Sequence, residues 1–417
     1  MMMDPPGYQL EMYCQHGPLM RTSLGKKNFY LFNHPDAVKE ILLTKASSFK
    51  KGMAVQNVQK IIGNNLLTLE GKDHAQKRKI LSKVFSKTYI SDFEDVITSH
   101  INQKISQMPS EGTLELKSFC SEISMELISL MLFGTPVSKE VQAIEKTIHN
   151  GLSLIYMMNI PGNKFFMKLP LPFIQKFKQS QKELYLIIEQ LLNSRQARSS
   201  RTYSTIDLLI EAGCNQEEII EHLIVLFIAG QETTSSALVW LLYSTLTNEM
   251  PPEFLLEIRK ADSENKKYQD ILDYPHIQAC ILETLRLYPS IWNIGRQAIE
   301  DIEIAGYQFK KDDYIAISPF VMQRSPKFFK NPNAFDIKRW IVKDCIITPQ
   351  KFTYFPFSYG TRNCIGKTLS EVEIFCAIKK IFNSIEFTLK DNKKITISAK
   401  MTMAPKQEIW VDFKKYT

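Results

Sequence analysis

The sequence predicts a mainly α-helical protein with a smaller β-rich part. Apolar residues recur at helical spacing through most of the chain from about Pro35 to Arg286. After Pro289, short β-like runs alternate with turns. The chain has no internal repeat and no linker rich in Gly, Ser or Pro, so we expect one integrated domain spanning residues 1–417.

The predicted elements follow one another along the chain. Residues 19–32 predict a hairpin, because two strand-like runs flank a turn at 25–28. A long helix is predicted at roughly 216–247, with a polar interruption halfway along its apolar face. A last apolar helix is expected at about 367–383, and strands are expected between 384 and 413.

The composition excludes several classes of protein. Hydrophobic residues make up 44% and charged residues 23% of the 417 residues, which excludes a wholly disordered chain. A formal net charge of +8 on so large a surface gives little support for nucleic acid binding, and no nucleic acid partner is predicted. Seven cysteines without a CxxC pair argue against a disulfide framework or a structural zinc site. They favour a reducing, cytoplasmic location.

No membrane segment is predicted from the sequence. The first residues lack the basic-then-apolar pattern of a signal peptide. No stretch reaches the ~18 apolar residues that a span needs, since the best candidate, 223–242, is interrupted by polar residues from Gln231 to Ser236. Two alternatives remain: a soluble protein, or one whose anchor lies outside this sequence.

A cysteine in a glycine-bracketed loop is the most distinctive local feature, with the sequence FSYGTRNCIG at 357–366. Glycines permit a tight turn and a close approach of the backbone to a flat ligand. The loop comes just before the last predicted helix, so Cys364 would lie at the positive end of a helix dipole, which stabilises a thiolate. Neighbouring backbone N–H groups can tune a metal bound there.

This loop resembles the FxxGxRxCxG haem-binding loop of the cytochrome P-450 family, the haem-thiolate monooxygenases, and every fixed position matches. The resemblance implies the cytochrome P-450 fold and haem b as the cofactor. It implies that Cys364 is the thiolate ligand of the haem iron. Phe357 would pack beside the sulfur, Arg362 would reach a haem propionate, and Gly366 would be a haem contact.

A second motif occurs in the order that this resemblance requires. Glu283 and Arg286 lie at i and i+3 on a predicted helix, and an isolated pair of this kind would be a surface pair worth ~0.2–0.5 kcal/mol. Its position upstream of the cysteine loop is similar to that of the family's ExxR helix. Arg339 fits the family's third partner, although the Pro and Glu of that element are replaced here. The implied role is a buried charge network that holds the cysteine loop.

The polar interruption of the long helix reads AGQETT at 229–234. Ala229 and Thr233 fall within about a 60° arc of the apolar face, beside Gly230, which we expect to leave room for a ligand. An alternative is a Thr233 hydroxyl that bonds back to its own helix. The stretch resembles the family's (A/G)Gx(D/E)T element. That implies haem contact at Ala229, a Thr233 hydroxyl that bonds dioxygen or its water, and proton relay by Glu232. A local break in helix hydrogen bonding near Gly230 is expected.

Residues 70–78, EGKDHAQKR, resemble the family's haem-contacting helix, with His74 where many members have Trp. The resemblance implies that His74 and Arg78 contact the haem propionates, with Arg296 as a further candidate. The alternative for His74 and Arg78 is a partly exposed pair without a ligand. The lysines expected on the opposite side of this helix predict a basic patch, namely Lys72, Lys79 and Lys83, together with Lys367.

The resemblance implies a monooxygenase that inserts one oxygen atom of O2 into a lipophilic substrate. Electrons would come from a separate ferredoxin, flavodoxin or flavin reductase, which the basic patch would receive. Two alternatives stay open: a haem-thiolate peroxygenase or isomerase, and a non-catalytic haem-binding protein. The Glu232–Thr233 pair argues against both. The pocket walls are expected from mostly apolar segments, namely 52–70, 153–173, 226–233, 290–294 and 401–404.

Segment 153–173 has two interpretations. Its aromatic residues and methionines fit a core, or they fit a lid over the substrate channel, because prolines make this a loop region. As a lid, this apolar segment could also rest on a membrane or a partner.

Overall fold

Helices make up most of the protein, as predicted. The computed structural model describes residues 4–24, 27–134, 204–391 and 393–416, with isolated helical positions between 175 and 193 and only the backbone at 24, 27, 60 and 61. The predicted lid, 153–173, lies outside the described residues. The described helices are α1 (Pro5–His16), α2 (Pro35–Lys39), α3 (Met53–Ile62), α4 (Gly71–Leu81), α5 (Lys87–Gln107), α6 (Leu116–Phe133), α7 (Thr205–Glu211), α8 (Gln216–Thr247), α9 (Pro252–Ser263), α10 (Pro275–Leu287), α11 (Pro319–Met322) and α12 (Lys367–Ser384).

Short strands form the smaller β-rich part. They are β1 (Leu19–Leu24), β2 (Lys27–Phe32), β3 (Phe49–Lys51), β4 (Glu111–Glu115), β5 (Ile294–Ala298), β6 (Ile302–Ile304), β7 (Tyr307–Phe309), β8 (Tyr314–Ile317), β9 (Ile341–Val342), β10 (Cys345–Ile346), β11 (Ile385–Leu389), β12 (Ile397–Ala399), β13 (Met403–Pro405) and β14 (Trp410–Lys415). Shorter helical turns lie at Glu40–Thr44, Ala46–Ser48, Tyr268–Asp273, Ile337–Trp340 and Gly360–Arg362.

The hairpin predicted at 19–32 is confirmed and belongs to a five-stranded sheet. The strand order is β1-β2-β8-β5-β3, in which β2 and β8 run parallel and the other neighbours antiparallel. Leu24 pairs with Lys27, so the turn is shorter than the predicted 25–28. The sheet packs its own apolar cluster, which includes Phe32, Ile315 and Phe355. Phe355 lies just before the cysteine loop, which therefore rests against this sheet.

Two strands interrupt the region that the sequence predicts to be mainly helical. β3 pairs with β5, and β4 pairs with β14 in the three-stranded sheet β11-β14-β4. The register joins Lys51 to Arg296 and Phe413 to Gly112, so both pairings span a long stretch of chain. Strands this short form because they pair with strands far along the chain, so the local sequence pattern cannot predict them.

The long helix α8 has the predicted bounds. It begins at a capping box, in which the Asn215 side chain accepts from the Glu218 N–H and the Glu218 carboxylate accepts from the Asn215 N–H. By length and composition it is the one helix in the described ranges that could cross a membrane, but 72% of its most apolar window is buried inside the protein. It is therefore a core helix, and it packs against α6.

Candidate functional site

The cysteine loop is held in a single conformation in front of α12. The Cys364 N–H donates to the Phe357 carbonyl over 2.9 Å, which closes the loop. Gly360 has a φ of +72°, and a Cβ there would lie 2.0 Å from the Leu42 carbonyl oxygen, so only glycine fits. Cys364 as a whole residue is exposed to solvent.

Backbone and side-chain groups act on the sulfur of Cys364. The surrounding protein withdraws it from bulk water, and this desolvation raises the pKa of the thiol. The Gly366 N–H bonds the sulfur, and the positive charges of Arg78 and Lys367 act in the same direction, opposing that rise. These groups favour the thiolate, which is the form that binds a metal.

The predicted haem-contacting helix reaches the cysteine loop. Arg78 on α4 donates to the Asn363 carbonyl over 2.9 Å and to the Asn363 Oδ1 over 2.5 Å. Arg362 donates to the Leu69 carbonyl over 2.6 Å and pairs with the Glu70 carboxylate. The two arginines therefore bond protein groups in this structure, and their contacts with propionates stay predictions.

Positive charge collects beside these arginines. His74 is 6% exposed, and burial together with the charges of Arg362 and Lys51 lowers its pKa to about 4. Burial and the charges of Arg296 and Arg362 lower the pKa of Lys51 to about 7. Burial lowers the pKa of Arg296 to about 10, although Glu70 opposes the shift. Sequence analysis missed Lys51, because its pairing with Arg296 across the sheet leaves no local signal.

This arrangement fits a haem group. Lys51, Arg296 and Arg362 lie around the carboxylate of Glu70, so positive charge is in excess in this partly buried place. The two propionates of a haem would supply the negative charge that stabilises these cations. The thiol of Cys364 is the type of ligand that haem iron accepts. The donor set and the charge therefore agree with the cofactor that the sequence predicts.

The ExxR residues form a buried charge network. Glu283 and Arg286 have fully buried side chains and meet at 2.7 and 2.8 Å, and Arg339 Nε donates to Glu283 over 3.0 Å. Trp340 Nε1 also donates to this carboxylate over 2.9 Å. Burial alone would raise the pKa of Glu283, but the hydrogen bonds and charges of Arg286 and Arg339 hold it below its usual value.

Gln323 connects this network to the cysteine loop. Its side-chain amide donates to the carbonyls of Leu285 and Arg286, each over 2.9 Å, and its Oε1 accepts from the Phe355 N–H over 2.9 Å. Its own carbonyl accepts from Arg286 over 2.8 Å. A glutamine between an apolar stretch and a turn carries no sequence signal that predicts this role.

The predicted relay residues lie at the open side of α8. Ala229 is exposed in the middle of a mostly buried helix, and Glu232 and Thr233 are half-buried. The Thr233 hydroxyl donates to the Ala229 carbonyl over 2.6 Å, which is the back-bonded alternative. The Glu232 carboxylate accepts from the Thr402 hydroxyl over 2.5 Å, a contact that joins residues 170 positions apart and that sequence analysis missed.

Two expectations about α8 are wrong. The helix is continuous from Gln216 to Thr247, so no break near Gly230 is present. The Thr233 hydroxyl bonds a carbonyl without interrupting the helix. Gly230 does not leave room for a ligand: a Cβ there would lie 2.8 Å from Ile128 Cδ1 on α6. Its role is the close packing of these two helices.

The predicted basic patch is exposed. Lys72 and Lys79 lie on α4, Lys83 lies in the turn after α4 rather than on the helix, and Lys367 is the first residue of α12. Lys367 is the only one of the four with an ion pair to an acid of the described ranges, a distant 3.9 Å contact with Glu371. The patch is therefore open to solvent and poorly neutralised.

Comparisons with known proteins agree with this geometry. A family model described as Cytochrome P450 matches residues 4–411. The fold is similar to that in the crystal structure of cytochrome P450DA heme domain, with a TM-score of 0.83 over 99% of this chain and 93% of that one, at 18% identity.

Sequence relatives match most of this chain at low identity. Pentalenene oxygenase of Streptomyces avermitilis is 22% identical over 94% of this chain and 89% of its own length. Cyclooctat-9-en-7-ol 5-monooxygenase of Streptomyces melanosporofaciens is 23% identical over 86% of this chain and 80% of its own. Because the family model covers nearly all of the chain, the protein belongs to the cytochrome P450 family of haem b monooxygenases.

Proposed function

We propose that this monooxygenase inserts one oxygen atom of O2 into a lipophilic substrate, with two electrons supplied by a separate protein. The overall reaction would be RH + O2 + 2e⁻ + 2H⁺ → ROH + H2O. The observation that carries the proposal is the acid and hydroxyl of Glu232 and Thr233 beside exposed Ala229, in the middle of a mostly buried helix. This is where a substrate, oxygen and protons could meet.

The residues around Cys364 would hold the cofactor. Haem bound through this thiolate supplies the activation of O2. Phe357 and Gly366 would enclose the sulfur, whose charge the Gly366 N–H stabilises. His74, Arg78, Arg296 and Arg362 are proposed to hold the propionates, and the structure supports adding Lys51 to this set.

Glu232 and Thr233 are proposed to move the two protons. The Thr233 hydroxyl uses its hydrogen on the Ala229 carbonyl, so its oxygen is oriented to accept a hydrogen bond from the open side. Glu232 can exchange protons with water and pass them toward this oxygen. The pair thus suits proton delivery into a pocket that excludes bulk water.

A lipophilic substrate fits the segments that meet here. Ser290 Oγ donates to the Thr233 carbonyl over 2.8 Å, and the Met403 N–H donates to the Ser290 carbonyl over 3.0 Å. Three of the predicted wall segments are thereby in contact beside exposed Ile291. Two relatives are named for acting on pentalenene and on cyclooctat-9-en-7-ol, and these compounds are the first to test.

The electron donor is proposed to be a ferredoxin, a flavodoxin or a flavin reductase. The exposed lysines beside the cysteine loop support an acidic partner, since opposite charges accelerate association. We expect the chain to act as one domain over residues 1–417 and to work in the cytoplasm.

Turnover with isotopically labelled oxygen tests this function. With ¹⁸O2, a donor protein and NAD(P)H, the product is expected to carry one ¹⁸O atom, and consumption of NAD(P)H should match product formation. Product from hydrogen peroxide but not from O2 and the donor would instead indicate a peroxygenase. Binding of haem without product from either oxidant would indicate a carrier.

A further inference from the structure

The carboxylate of Glu232 is held from a distant turn. Thr402 lies between β12 and β13, is only 7% exposed, and donates its hydroxyl to Glu232 Oε1 over 2.5 Å. That length is typical of a hydrogen bond between a hydroxyl and an ionised carboxylate. The hydroxyl of Thr402 therefore restricts the orientation of the acid.

The turn itself is fastened to the same face of α8. The Met403 carbonyl accepts from Ser236 Oγ over 2.5 Å and from Trp240 Nε1 over 3.0 Å. Glu232, Ser236 and Trp240 follow one another at intervals of four residues, so all three side chains point to this turn. Because Met403 is fixed, its neighbour Thr402 cannot swing away from the acid without breaking these bonds.

Ser290 ties the turn to the second relay residue. Its hydroxyl donates to the Thr233 carbonyl over 2.8 Å, while its carbonyl accepts from the Met403 N–H over 3.0 Å. The backbone at Thr233 and the turn that carries Thr402 thus share one support. A fixed support of this kind keeps the two proton-carrying groups at a constant separation.

We infer that Thr402 is a positioning residue for the oxygenation reaction, because its hydroxyl fixes the carboxylate of Glu232 beside Thr233. The inference rests on the proposed relay role of Glu232 and Thr233. A hydroxyl suits this task, since it donates to a carboxylate without adding charge to the pocket. Without this hydroxyl the carboxylate loses one of the contacts that orient it, and proton delivery is expected to become slower.

Substitutions at Thr402 test the inference in the holoenzyme. Thr402→Val keeps the shape and removes the hydroxyl, while Thr402→Ser keeps the hydroxyl. Thr396→Val is the matched control: this exposed threonine precedes the same hairpin and bonds the Gln407 side chain over 3.1 Å. Thr402→Ala replaces the valine variant if that protein does not retain haem.

Thr402→Val is expected to lower kcat by about tenfold, as for the loss of a hydrogen bond to a charged group. The dissociation constant of the substrate, measured from its spectral shift, should not change, and the solvent deuterium isotope effect on kcat should rise. Thr402→Ser should restore both, and Thr396→Val should behave as wild type.

A second readout does not depend on turnover. In thermal melts, Thr402→Val and Glu232→Ala together should lower the melting temperature by less than the sum of the two single shifts, because each variant alone already removes the hydrogen bond between residues 402 and 232. Additive shifts, or a Thr402→Val enzyme with wild-type kcat and isotope effect, would overturn the inference while the proposed function stands. Wild-type protein that makes no product from O2 would instead refute the proposed function.

Discussion

The acidity of the Cys364 thiol depends on its surroundings more than on its place at a helix N-terminus. Desolvation raises its pKa, and only the Gly366 N–H and nearby cations oppose this. A bound metal removes the proton from a coordinating thiol, so ligation would decide its charge. The loop geometry, and not an unusually acidic thiol, is the feature that would make this cysteine a ligand.

Cys364→Ser is therefore expected to abolish the thiolate-type absorption band of the ferrous carbon monoxide complex, along with oxygenation. A hydroxyl is a far weaker donor to iron than a thiolate. Cys345→Ser is the control, because Cys345 is exposed on β10 and away from the loop. A normal thiolate band in Cys364→Ser would refute the assignment.

Thr233→Ala is expected to keep haem bound but to divert electrons from product into hydrogen peroxide or water, by about tenfold or more on the scale of general acid–base effects. The variant lacks the Thr233 hydroxyl beside Ala229, which is proposed to deliver protons. Thr247→Ala is the matched control, because its hydroxyl donates to the Tyr243 carbonyl over 2.8 Å in the same back-bonded manner at the end of α8. Peroxide and product are measured per NAD(P)H consumed. Equal coupling in both variants would mean that Thr233 is only a helix residue.

Glu373 on α12 is expected to make stability depend on pH. Burial raises its pKa to about 8, although a hydrogen bond from Thr234 opposes the shift. The folded protein then keeps a proton that the unfolded chain loses above its ordinary pKa of about 4.5. The free energy of unfolding therefore falls as the pH rises through this window, by on the order of a few kcal/mol.

Glu373→Gln should flatten this profile between pH 5 and 8 in urea titrations. Glu386→Gln, on an exposed position of β11, serves as the control and should keep the wild-type slope. An unchanged slope in Glu373→Gln would show that another group titrates.

At the scale of elements, the sequence predicts what local signals specify. The bounds of α8 follow from its capping box at Asn215 and from apolar positions that continue to the end of the helix. The start of α12 follows from the glycine-rich loop before it. The proposed ligand Cys364, the ExxR pair and the proposed relay pair could be predicted because each lies within a short, characteristic stretch of sequence.

The parts that sequence analysis missed are contacts between distant segments. β3 and β4 are too short to show periodicity, and each exists because a strand far along the chain pairs with it. Lys51, Gln323 and Thr402 acquire their partners only in the folded chain. The role of Gly230 was mistaken for the same reason, because Ile128 fills the space beside it.

The ExxR network is expected to support the cysteine loop as a unit. Glu283→Ala would leave Arg286 buried without its counter-charge and should lower the free energy of unfolding by ~3–5 kcal/mol. Gln323 bonds both the Arg286 carbonyl and the Phe355 N–H, so disorder around Arg286 should also loosen the cysteine loop. Haem should therefore dissociate faster. Urea titration and haem transfer to apomyoglobin measure the two effects.

Asp301→Ala is the control for this prediction. Its pair with Lys310 is well exposed, and such pairs contribute little to stability because water and salt screen them. If Glu283→Ala were no more destabilising than Asp301→Ala, the network would not support the loop.

At the scale of the whole molecule, some lysines are paired with acidic side chains and others are not. The net charge of +8 is small for 417 residues, and many lysines have acidic partners. Lys72, Lys79 and Lys83 have none among the acids of the described ranges, and they lie around the helix whose Arg78 bonds the cysteine loop. We expect electrons to arrive near Cys364, and this helix contacts the residue before it, Asn363, through Arg78.

The Lys79→Glu and Lys83→Glu double variant is expected to slow the first electron transfer from an acidic donor by about tenfold at low salt. Charge complementarity acts mainly on association rate and is screened by ions, so the difference from wild type should shrink as ionic strength rises. Substrate affinity should not change, because both lysines are exposed to solvent, Lys79 on α4 and Lys83 in the turn after it. Lys414→Glu, on β14, is a control with the same charge change on another surface. Stopped-flow reduction under carbon monoxide measures the rate. If neither the reversal nor salt alters it, the donor docks elsewhere, and the lysines are an ordinary solvated surface.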